Sequence, residues 1–321
     1  MSEQIIRSGF VSLIGRPNVG KSTLLNKLVG VRLAITSPKP QTTRQVVRGI
    51  IDDENSQIIF LDTPGFHAPR TRLGEYMVQA ATTALADGDI ALLLVDAEKA
   101  TGERAYPGIP SIEADIMQKA DNMNKKVILV LNKVDRVVKE ALLPLMALYA
   151  SAFDFAAIVP ISAKTGDGLD RLISEIRQLL PEGPRYYPVD SLTDQTERGL
   201  CAELIREQVL LLTSEEIPYG VAVEIESFTA LADDNEPQRD DAVTERNLVR
   251  IGAVIYCNKD SHKGILIGNR GSMLKNIGSR ARGQIEAMLG CPCYLELHVK
   301  VREDWRNRRG ILRNLGYETR N

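Results

Sequence analysis

The sequence predicts two folded units: an α/β unit with a mostly parallel sheet flanked by helices, and a smaller α+β unit after it. In residues 1–183, short apolar runs alternate with amphipathic stretches, a pattern typical of buried parallel strands covered by helices. Pro181-Glu182-Gly183-Pro184 interrupts this alternation and predicts a boundary. We therefore expect a first domain over residues 1–183, a linker over 184–193 and a second domain over 194–321.

The hydrophobic periodicity predicts the elements in chain order. In the first domain we expect strands over 10–14, 46–51, 57–61, 90–95, 127–131 and 157–161, and helices over 23–29, 72–85, 111–123 and 169–180. In the second domain we expect helices over 194–212 and 272–289, and strands over 219–228, 247–256 and 294–301. The segments 105–120 and 233–246 have no functional interpretation.

Composition excludes several classes of protein. The 321 residues are 44% hydrophobic and 26% charged, which is ordinary for a soluble globular protein. No apolar run approaches the roughly 18 residues that span a bilayer, and the first residues lack the layout of a signal peptide. Four scattered cysteines predict reduced thiols in a cytoplasmic protein. A metal site that combines Cys291 and Cys293 with His298 is the weaker alternative, because the cysteine spacing differs from that of zinc motifs.

The charge is unevenly distributed along the chain. The net charge is −2, but the residues from Lys259 onward hold 13 Lys or Arg against 6 Asp or Glu. A basic end on an acidic body predicts a polyanionic partner there, and an ordinary solvated surface is the alternative. Peripheral contact with a membrane surface through this end stays open.

A phosphate-binding loop is predicted at Gly15–Ser22, which reads G-x-x-x-x-G-K-S between a predicted strand and a predicted helix. Gly15 and Gly20 allow the backbone N–H groups to wrap a phosphate chain. Lys21 can reach the terminal phosphates, and the Ser22 hydroxyl can ligate Mg²⁺. The sequence therefore predicts a nucleoside triphosphate site with a metal.

Two further segments predict the rest of the metal site. The loop over residues 31–45 is rich in proline and contains Thr42 and Thr43, either of which could complete an Mg²⁺ shell. Asp62-Thr63-Pro64-Gly65 directly follows a predicted buried strand. Asp62 can hold the water shell of the metal, and Gly65 allows a backbone N–H group to approach the terminal phosphate.

The motif Asn132-Lys133-Val134-Asp135 predicts which base is bound. The Asp135 carboxylate can accept the ring N1–H and the exocyclic amine of guanine, a donor pair that adenine lacks. Asn132 can brace the loop, and the Lys133 stem can lie along the base. After the next predicted strand, the backbone N–H groups of Ser162-Ala163-Lys164 can meet the guanine O6.

These five ordered elements resemble the translation-factor-related GTPases, and the form G-R-P-N-V-G-K-S-T-L-L-N is similar to the Era, Der and MnmE branch. The resemblance implies that Lys21 lies on the β- and γ-phosphates, that Ser22 and Thr43 bind Mg²⁺, that Asp62 lies in the outer metal shell, and that Gly65 senses the γ-phosphate. It implies a GTP or GDP site formed by Gly15, Asn18, Val19, Gly20, Lys21, Ser22, Thr23, Asp62, Gly65, Asn132, Lys133, Asp135, Ser162, Ala163 and Lys164.

One position departs from the better-known small GTPases. They place a water-orienting Gln directly after the D-x-x-G glycine, whereas this chain has Phe66. Phe66 offers no group that holds a water, so intrinsic hydrolysis is expected to be slow or to use other means. In related GTPases an Asn at the position of Asn18 ligates K⁺, and we hypothesise the same ligand here.

The segment Gly268-Asn269-Arg270-Gly271 matches the G-x-x-G loop that clamps single-stranded nucleic acid in KH domains. A helix with Lys275 and Arg280 follows it, and then a strand. This order resembles a type II KH domain, which implies RNA contacts at Ile267, Gly268, Asn269, Arg270, Gly271, Lys275 and Arg280. The alternative is a small basic domain that docks on protein. Trp305 either supports RNA or caps the fold.

The two halves together resemble the Era family, over essentially the whole chain. The resemblance implies an α/β P-loop NTPase joined to an α+β type II KH domain. It further implies slow, Mg²⁺-dependent GTP hydrolysis, binding to the 3′ end of 16S ribosomal RNA, and a cytoplasmic, monomeric factor for 30S subunit assembly. Two alternatives remain: a GTPase coupled to another RNA, and an RNA-binding scaffold with a structural nucleotide.

Overall fold

The computed structural model describes residues 6–102, 108–231 and 247–317. The chain divides into two compact units, Met1–Asp194 and Gln195–Asn321. The segment 233–246, for which the sequence offered no function, lies outside the described residues, and so do residues 105–107 of the segment 105–120.

The first unit is built on one sheet. In the described residues it has seven strands, in the order β2-β3-β1-β4-β5-β6 with β7 beside the start of β1, and only β2 and β7 pair antiparallel. The strands are β1 (Ile6–Gly15), β2 (Val47–Asp52), β3 (Ser56–Asp62), β4 (Ile90–Asp96), β5 (Lys126–Asn132), β6 (Ala157–Ile161) and β7 (Glu182–Gly183). The predicted P-loop α/β fold is confirmed.

Helices cover both faces of this sheet. They are α1 (Lys21–Val29), α2 (Arg72–Asp87), α3 (Ala97–Thr101), α4 (Ser111–Asn122), α5 (Leu142–Ala150) and α6 (Leu169–Leu179). Leu92 and Leu94 of β4 pack on the side of α1 and α6, whereas Leu93 and Val95 pack on the side of α2, α4 and α5. Because successive strand residues point to opposite faces, the fully apolar β4 serves two cores.

Two helices of the first unit were absent from the sequence prediction. α3 has only five residues, begins where Asp96 caps it, and is too short to show a helical period. α5 reads L-L-P-L-M-A-L-Y-A and has no polar face, so its periodicity is hidden although Leu145 and Tyr149 are buried.

The predicted linker, residues 184–193, lies against the first unit. The Ile50 N–H group donates to the Leu192 carbonyl at 2.9 Å, and the Gln57 side chain accepts the N–H groups of Tyr186 and Tyr187 at 2.8 and 3.0 Å. The Ile50–Leu192 hydrogen bond lies on the outer edge of β2, which no other strand covers in the described chain, whereas Gln57 belongs to the neighbouring β3.

The second unit has a three-stranded sheet in the order β10-β9-β8, in which β8 and β9 pair antiparallel and β9 and β10 pair parallel. Its elements are α7 (Glu197–Leu212), β8 (Ala222–Leu231), β9 (Leu248–Cys257), α8 (Asp260–Ile267), α9 (Ser272–Leu289), β10 (Cys293–Val301) and α10 (Arg309–Asn314). α7 begins three residues after the predicted start because Thr196 caps it, accepting from the Gly199 N–H group.

Trp305 belongs to the core of the second unit. Its side chain is fully buried, and its indole N–H donates to the Gly220 carbonyl at 2.9 Å. Of the two interpretations that the sequence left open, the structure therefore supports the fold-capping one. Gly220 belongs to a single 3₁₀ turn, Pro218–Gly220. This turn explains why β8 starts after the predicted first residue, Tyr219.

The four cysteines are free and buried. No group of three or more His, Cys, Asp or Glu residues in the described ranges could hold a metal, so the weaker Cys–His interpretation gains no support. None of the helices formed by the described residues is both long and apolar enough to cross a membrane.

Candidate functional site

The phosphate loop follows β1 and has the backbone that its glycines allow. Gly15 has φ +144° and Gly20 has φ +101°, both in the region that favours glycine. A Cβ atom on Gly15 would lie 2.5 Å from the Leu94 carbonyl oxygen, so no side chain fits there. The buried Lys21 ammonium donates to the carbonyl oxygens of Gly15 at 3.2 Å and Arg16 at 3.0 Å. Lys21 is thus held inside the loop.

Three oxygen donors from separate segments meet beside this loop. The Ser22 hydroxyl donates to Asp62 Oδ2 at 2.6 Å and lies 2.8 Å from the Thr43 hydroxyl, which donates to the same Oδ2 at 3.3 Å. Asp62 Oδ1 is buried and has no hydrogen-bond partner. Two hydroxyls and one carboxylate, whose Oδ1 is left unsatisfied, form a donor set that fits Mg²⁺.

The structure distinguishes the two candidate threonines. The Thr42 hydroxyl donates to the Lys39 carbonyl at 2.6 Å, within its own loop, whereas Thr43 reaches Ser22 and Asp62. Thr43 is therefore the threonine whose side chain lies beside Ser22 and Asp62, the other two candidate Mg²⁺ ligands.

Burial shifts the pKa values of the two charged side chains beside the phosphate loop, Asp62 and Lys21. Burial raises the pKa of Asp62 to about 6, although the nearby Lys21 and the two hydroxyls oppose the rise. Burial likewise lowers the pKa of Lys21 to about 8, opposed by Asp62. A divalent cation beside Asp62 and a polyphosphate beside Lys21 would each favour the charged form of its neighbour.

Gly65 lies directly against the phosphate loop. A Cβ atom at this position would approach Pro17 N to 2.7 Å and Pro17 Cα to 2.8 Å, so only glycine permits the contact. The N–H group of the next residue, Phe66, donates to the Gly15 carbonyl at 3.1 Å, and the Phe66 side chain is buried. An apolar ring thus occupies the position where other GTPases hold a water-orienting Gln.

Asn132 ties three motifs together. Its side-chain N–H donates to the Val19 carbonyl at 2.7 Å, and its Oδ1 accepts the N–H groups of Lys133 at 2.8 Å and Ala163 at 3.0 Å. A Cβ atom on Gly20 would lie 2.3 Å from the Asn132 amide nitrogen. Asn132 therefore ties the predicted base-binding loops directly to the phosphate loop.

The predicted base-binding loops contain two contacts that were not predicted from the sequence. Lys133 Nζ donates to Asp96 Oδ2 at 2.5 Å and to the Asn18 carbonyl at 3.0 Å. Asp96 could have been found, because like Asp62 it ends an apolar strand at the ligand edge of the sheet. The Ser162 hydroxyl donates to Asp135 Oδ1 at 2.7 Å and orients that exposed carboxylate.

Residues of the phosphate loop and of the 31–45 loop line one cavity of about 440 Å³. Predicted site residues line it: Asn18, Gly20, Lys21, Ser22, Thr23, Thr43, Gly65 and Lys133. The predicted site residues that do not line it are Gly15, Val19, Asp62, Asn132, Asp135 and Ser162–Lys164. Asn132 bonds to Val19 and Ala163, and Asp135 bonds to Ser162. The Asn18 amide N–H donates to the Pro38 carbonyl at 2.6 Å and so bridges the two loops.

A second cavity of about 400 Å³ lies in the second unit, between α9 and β10. Its lining residues are Gly271, Leu274, Lys275, Gly278, Ser279, Arg282, Leu295 and Leu297. Of the predicted RNA contacts, only Gly271 and Lys275 line it. The three leucines were not predicted. The spacing of residues 271, 274, 278 and 282 is that of one helix face, and the alternation of strand residues puts Leu295 and Leu297 on one face of β10.

The rest of the G-x-x-G loop directly precedes Gly271 in the chain but does not line this groove. Gly268, Arg270 and Gly271 have φ of +73°, +49° and +80°. Asn269 and Arg270 are exposed, and Ile267 is half-buried. Arg280 donates to Asn276 Oδ1 at 3.1 Å on the exposed side of α9.

Comparisons with known proteins match both units. A family described as 50S ribosome-binding GTPase matches residues 10–133, and a KH domain family matches residues 216–306. The chain is 47% identical to GTPase Era of Ruminiclostridium cellulolyticum over 313 residues, which cover 98% of each chain. It is 48% identical to GTPase Era of Trichlorobacter lovleyi over 319 residues, covering 99% of this chain and all of the relative.

Solved structures agree with the sequence relatives. Era in complex with MgGDPNP and nucleotides 1506–1542 of 16S ribosomal RNA matches 98% of this chain and all of that one, with a TM-score of 0.88 and 39% identity. A variant of Aquifex aeolicus Era bound to GDP and AlF₄⁻ matches with a TM-score of 0.87, 40% identity and the same coverage. With relatives of this identity along its whole length, the chain belongs to the Era family of GTPases.

Proposed function

We propose that this protein is a GTP-hydrolysing switch whose second unit binds the 3′ end of small-subunit ribosomal RNA during assembly of the 30S subunit. The observation that carries the proposal is the meeting of Ser22, Thr43 and Asp62 beside the phosphate loop, with a buried carboxylate oxygen left unsatisfied. An Era structure that contains MgGDPNP and part of 16S ribosomal RNA supports it.

Each group has a distinct role in the proposed nucleotide site. Ser22 and Thr43 would hold Mg²⁺, and Asp62 would hold its water ligands; the bound metal would neutralise charge on the β- and γ-phosphates. Lys21 would donate to the same phosphates, and the Gly65 N–H group would contact the γ-phosphate. Asp135, oriented by Ser162, would accept the two N–H donors of guanine. Gly15, Val19 and Thr23 would shape the loop around the phosphates.

The attacking water needs another source of stabilisation because Phe66 is apolar and buried. The Asn18 amide lies beside the Pro38 carbonyl at 2.6 Å, so two oxygen-bearing groups from different loops are adjacent. A rotated amide would present Oδ1 there, and two such oxygens suit K⁺. We expect turnover to fall several-fold when Na⁺ replaces K⁺ at equal ionic strength; equal rates would contradict the role of Asn18.

In the second unit, the leucines of the α9–β10 groove would contact bases while Lys275 and the G-x-x-G loop hold the backbone. Ile267, Gly268, Asn269, Arg270 and Gly271, in and beside the G-x-x-G loop, stay proposed RNA contacts, and so does Arg280 on the exposed side of α9. A cytoplasmic location fits this role. The monomeric state and a peripheral membrane contact stay predictions of the sequence.

The test is to crosslink the full-length protein to RNA in cells and sequence the bound fragments. We expect the fragments to concentrate at the 3′ end of small-subunit ribosomal RNA. Concentration on transfer RNA would instead favour a GTPase coupled to another RNA. Purified protein whose nucleotide neither exchanges nor turns over would favour the scaffold, and these two failures are distinguishable.

A further inference from the structure

One buried carboxylate at the ligand edge of the sheet has no part in the proposed chemistry. Asp96 ends the apolar strand β4 and lies beside Asn132 in the register of β4 and β5. Its Oδ2 accepts from Lys133 Nζ at 2.5 Å, and its Oδ1 accepts from the Lys99 N–H group at 3.4 Å and so caps α3. We call residues 132–135 the base motif. The Asp96 side chain therefore joins β4, α3 and the base motif.

Lys133 links the base motif to the phosphate loop. Its backbone has φ +69° and that of Asn18 has φ +64°, so two residues other than glycine lie in the left-handed region. Such conformations persist where the surrounding contacts hold them. The Lys133 ammonium donates to the Asn18 carbonyl at 3.0 Å, so one side chain spans the two loops. A group that fixes this ammonium therefore also fixes the base motif against the phosphate loop.

Asp96 is the charged acceptor of that ammonium. The Lys133 side chain is 25% exposed and that of Asp96 is 5% exposed, so both charges are largely removed from water. A charge removed from water needs an opposite charge beside it, and a carboxylate accepts more strongly from an ammonium than a neutral carbonyl does. Without Asp96, the long and flexible lysine side chain would be held by the Asn18 carbonyl with its charge uncompensated. Asp96 is therefore the stronger of the two restraints on Lys133.

A second ion pair connects α3 to the other end of the base motif. Glu98 Oε2 accepts from Arg136 Nη1 at 3.1 Å, and Arg136 directly follows Asp135. Both side chains are about half-exposed, so this pair contributes little alone. Asp135, which would accept the guanine N–H groups, thus lies in the chain between two basic residues that pair with acidic residues of one short segment.

We propose that Asp96 is a positioning residue for nucleotide retention: by holding Lys133, it keeps Asp135 at the distance from the phosphate loop that a guanine nucleotide requires. The inference rests on the proposed function and adds a residue to its site. In the described part of the chain, the hydrogen bonds of Asp96 go to Lys133 and Lys99 and not to the groups that would surround the terminal phosphate. Asp96 should therefore govern how long the nucleotide stays bound and leave the chemical step unchanged.

Asp96→Ala in the full-length protein tests the proposal, with Mg²⁺ and a fluorescent GDP analogue as the probe. We expect the analogue to be released about tenfold faster and the affinity for GTP to fall by a similar factor, because one charge-assisted hydrogen bond is lost. The single-turnover rate of GTP hydrolysis at saturating protein should stay within about twofold of the wild-type rate.

Asp96→Asn is the conservative variant. It keeps an acceptor oxygen for Lys133 and a cap for α3, so it should release the analogue only about threefold faster than the wild type. Because it preserves the volume of the side chain, it remains a test if Asp96→Ala fails to fold. Release at the wild-type rate in both variants would overturn the proposal.

Asp52→Ala is the matched control for the loss of a buried ion pair. Asp52 Oδ1 pairs with Arg185 at 3.0 Å, and the two side chains are 7% and 24% exposed, close to the values for Asp96 and Lys133. Asp52 ends β2 opposite Gln57, at the edge of the sheet away from the phosphate loop. The control should release the analogue at the wild-type rate.

Two outcomes of this comparison would contradict the positioning role. One is release from Asp96→Ala no faster than release from Asp52→Ala. The other is a single-turnover rate that falls as much as the affinity does, which would indicate general damage to the fold. A wild-type protein that binds no guanine nucleotide would instead refute the proposed function.

A double-variant cycle shows whether Asp96 acts through Lys133. The cycle compares release from the wild type, Asp96→Ala, Lys133→Ala and the double variant. We expect Asp96→Ala to speed release no further once Lys133 is replaced, because the restrained side chain is then absent. Effects of the two substitutions that multiply would mean that Asp96 acts independently of Lys133, and the proposal would be wrong.

Discussion

The two candidate binding sites of this chain are built in opposite ways. In the nucleotide site, groups from the phosphate loop, the 31–45 loop, β3 and β5 are already hydrogen-bonded to one another and mostly buried. In the second unit, one helix and one strand line an open groove whose lysine and arginine are not buried. A preorganised network stabilises charge that develops during a reaction, whereas an open basic groove accommodates a flexible polyanion. Single substitutions should therefore cause large losses of function at the first site and smaller losses of RNA affinity at the second.

The largest effect is expected from Lys21→Ala. The variant removes the buried cation that neighbours Asp62 and would contact the terminal phosphates. GTP turnover should fall roughly 10³-fold, while RNA binding in the absence of nucleotide stays within about twofold. Lys27→Ala, on the exposed face of the same helix, is the control and should leave turnover unchanged. Retained turnover in the Lys21 variant would contradict the assigned site.

Asp135→Asn should have the next largest effect. An amide at this position offers an N–H group where guanine also presents N–H groups, so GTP affinity should fall about 10²-fold and xanthine nucleotide should be preferred. Competition binding with GTP and xanthosine triphosphate measures the change. Unchanged affinity for GTP would remove Asp135 from the base site. Asp170→Asn, exposed on α6, serves as the control.

The RNA groove should respond more weakly, and the choice of glycine matters. A Cβ atom on Gly268 would lie 2.7 Å from Met273 Cβ and 2.8 Å from Met273 N, so a substitution there would also disturb the start of α9. Gly271 has open space around it and a φ of +80° that Asp tolerates. Gly271→Asp should therefore lower RNA affinity about tenfold through charge repulsion alone, with GTP turnover unchanged.

Gly283→Asp places the same charge on the exposed side of α9 and controls for net charge. A Cβ atom on Gly283 would have no neighbouring side chain within 4 Å. Equal losses of RNA affinity in the Gly271 and Gly283 variants would mean that the loop has no special role.

The nucleotide site was accessible to sequence reasoning because its residues fall in short motifs at strand ends. Gly15–Ser22, Asp62 and Asn132 each follow an apolar run, and parallel strands bring their carboxyl ends to one edge. Only the structure distinguishes Thr43 from Thr42, because the two threonines are neighbours in a loop whose sequence has no hydrophobic periodicity. It also added Asp96, whose partner Lys133 is 37 residues away.

The second unit was less accessible. Its groove depends on Leu295 and Leu297, which look like ordinary strand residues until β10 is placed beside α9. Residues 184–193 were predicted as a linker, because their sequence carries no local signal for pairing with β2. Contacts between segments more than 130 residues apart, such as Ile50 with Leu192, follow from tertiary packing and not from local pattern.

The central claim is that a guanine nucleotide held with Mg²⁺ in the first unit decides how strongly the second unit binds RNA. Calorimetric titration of the 3′-terminal small-subunit RNA into the GTP-analogue, GDP and nucleotide-free forms tests it most directly. The account predicts affinities that differ about fivefold or more between the triphosphate and diphosphate forms. Identical affinities in all three forms would contradict it.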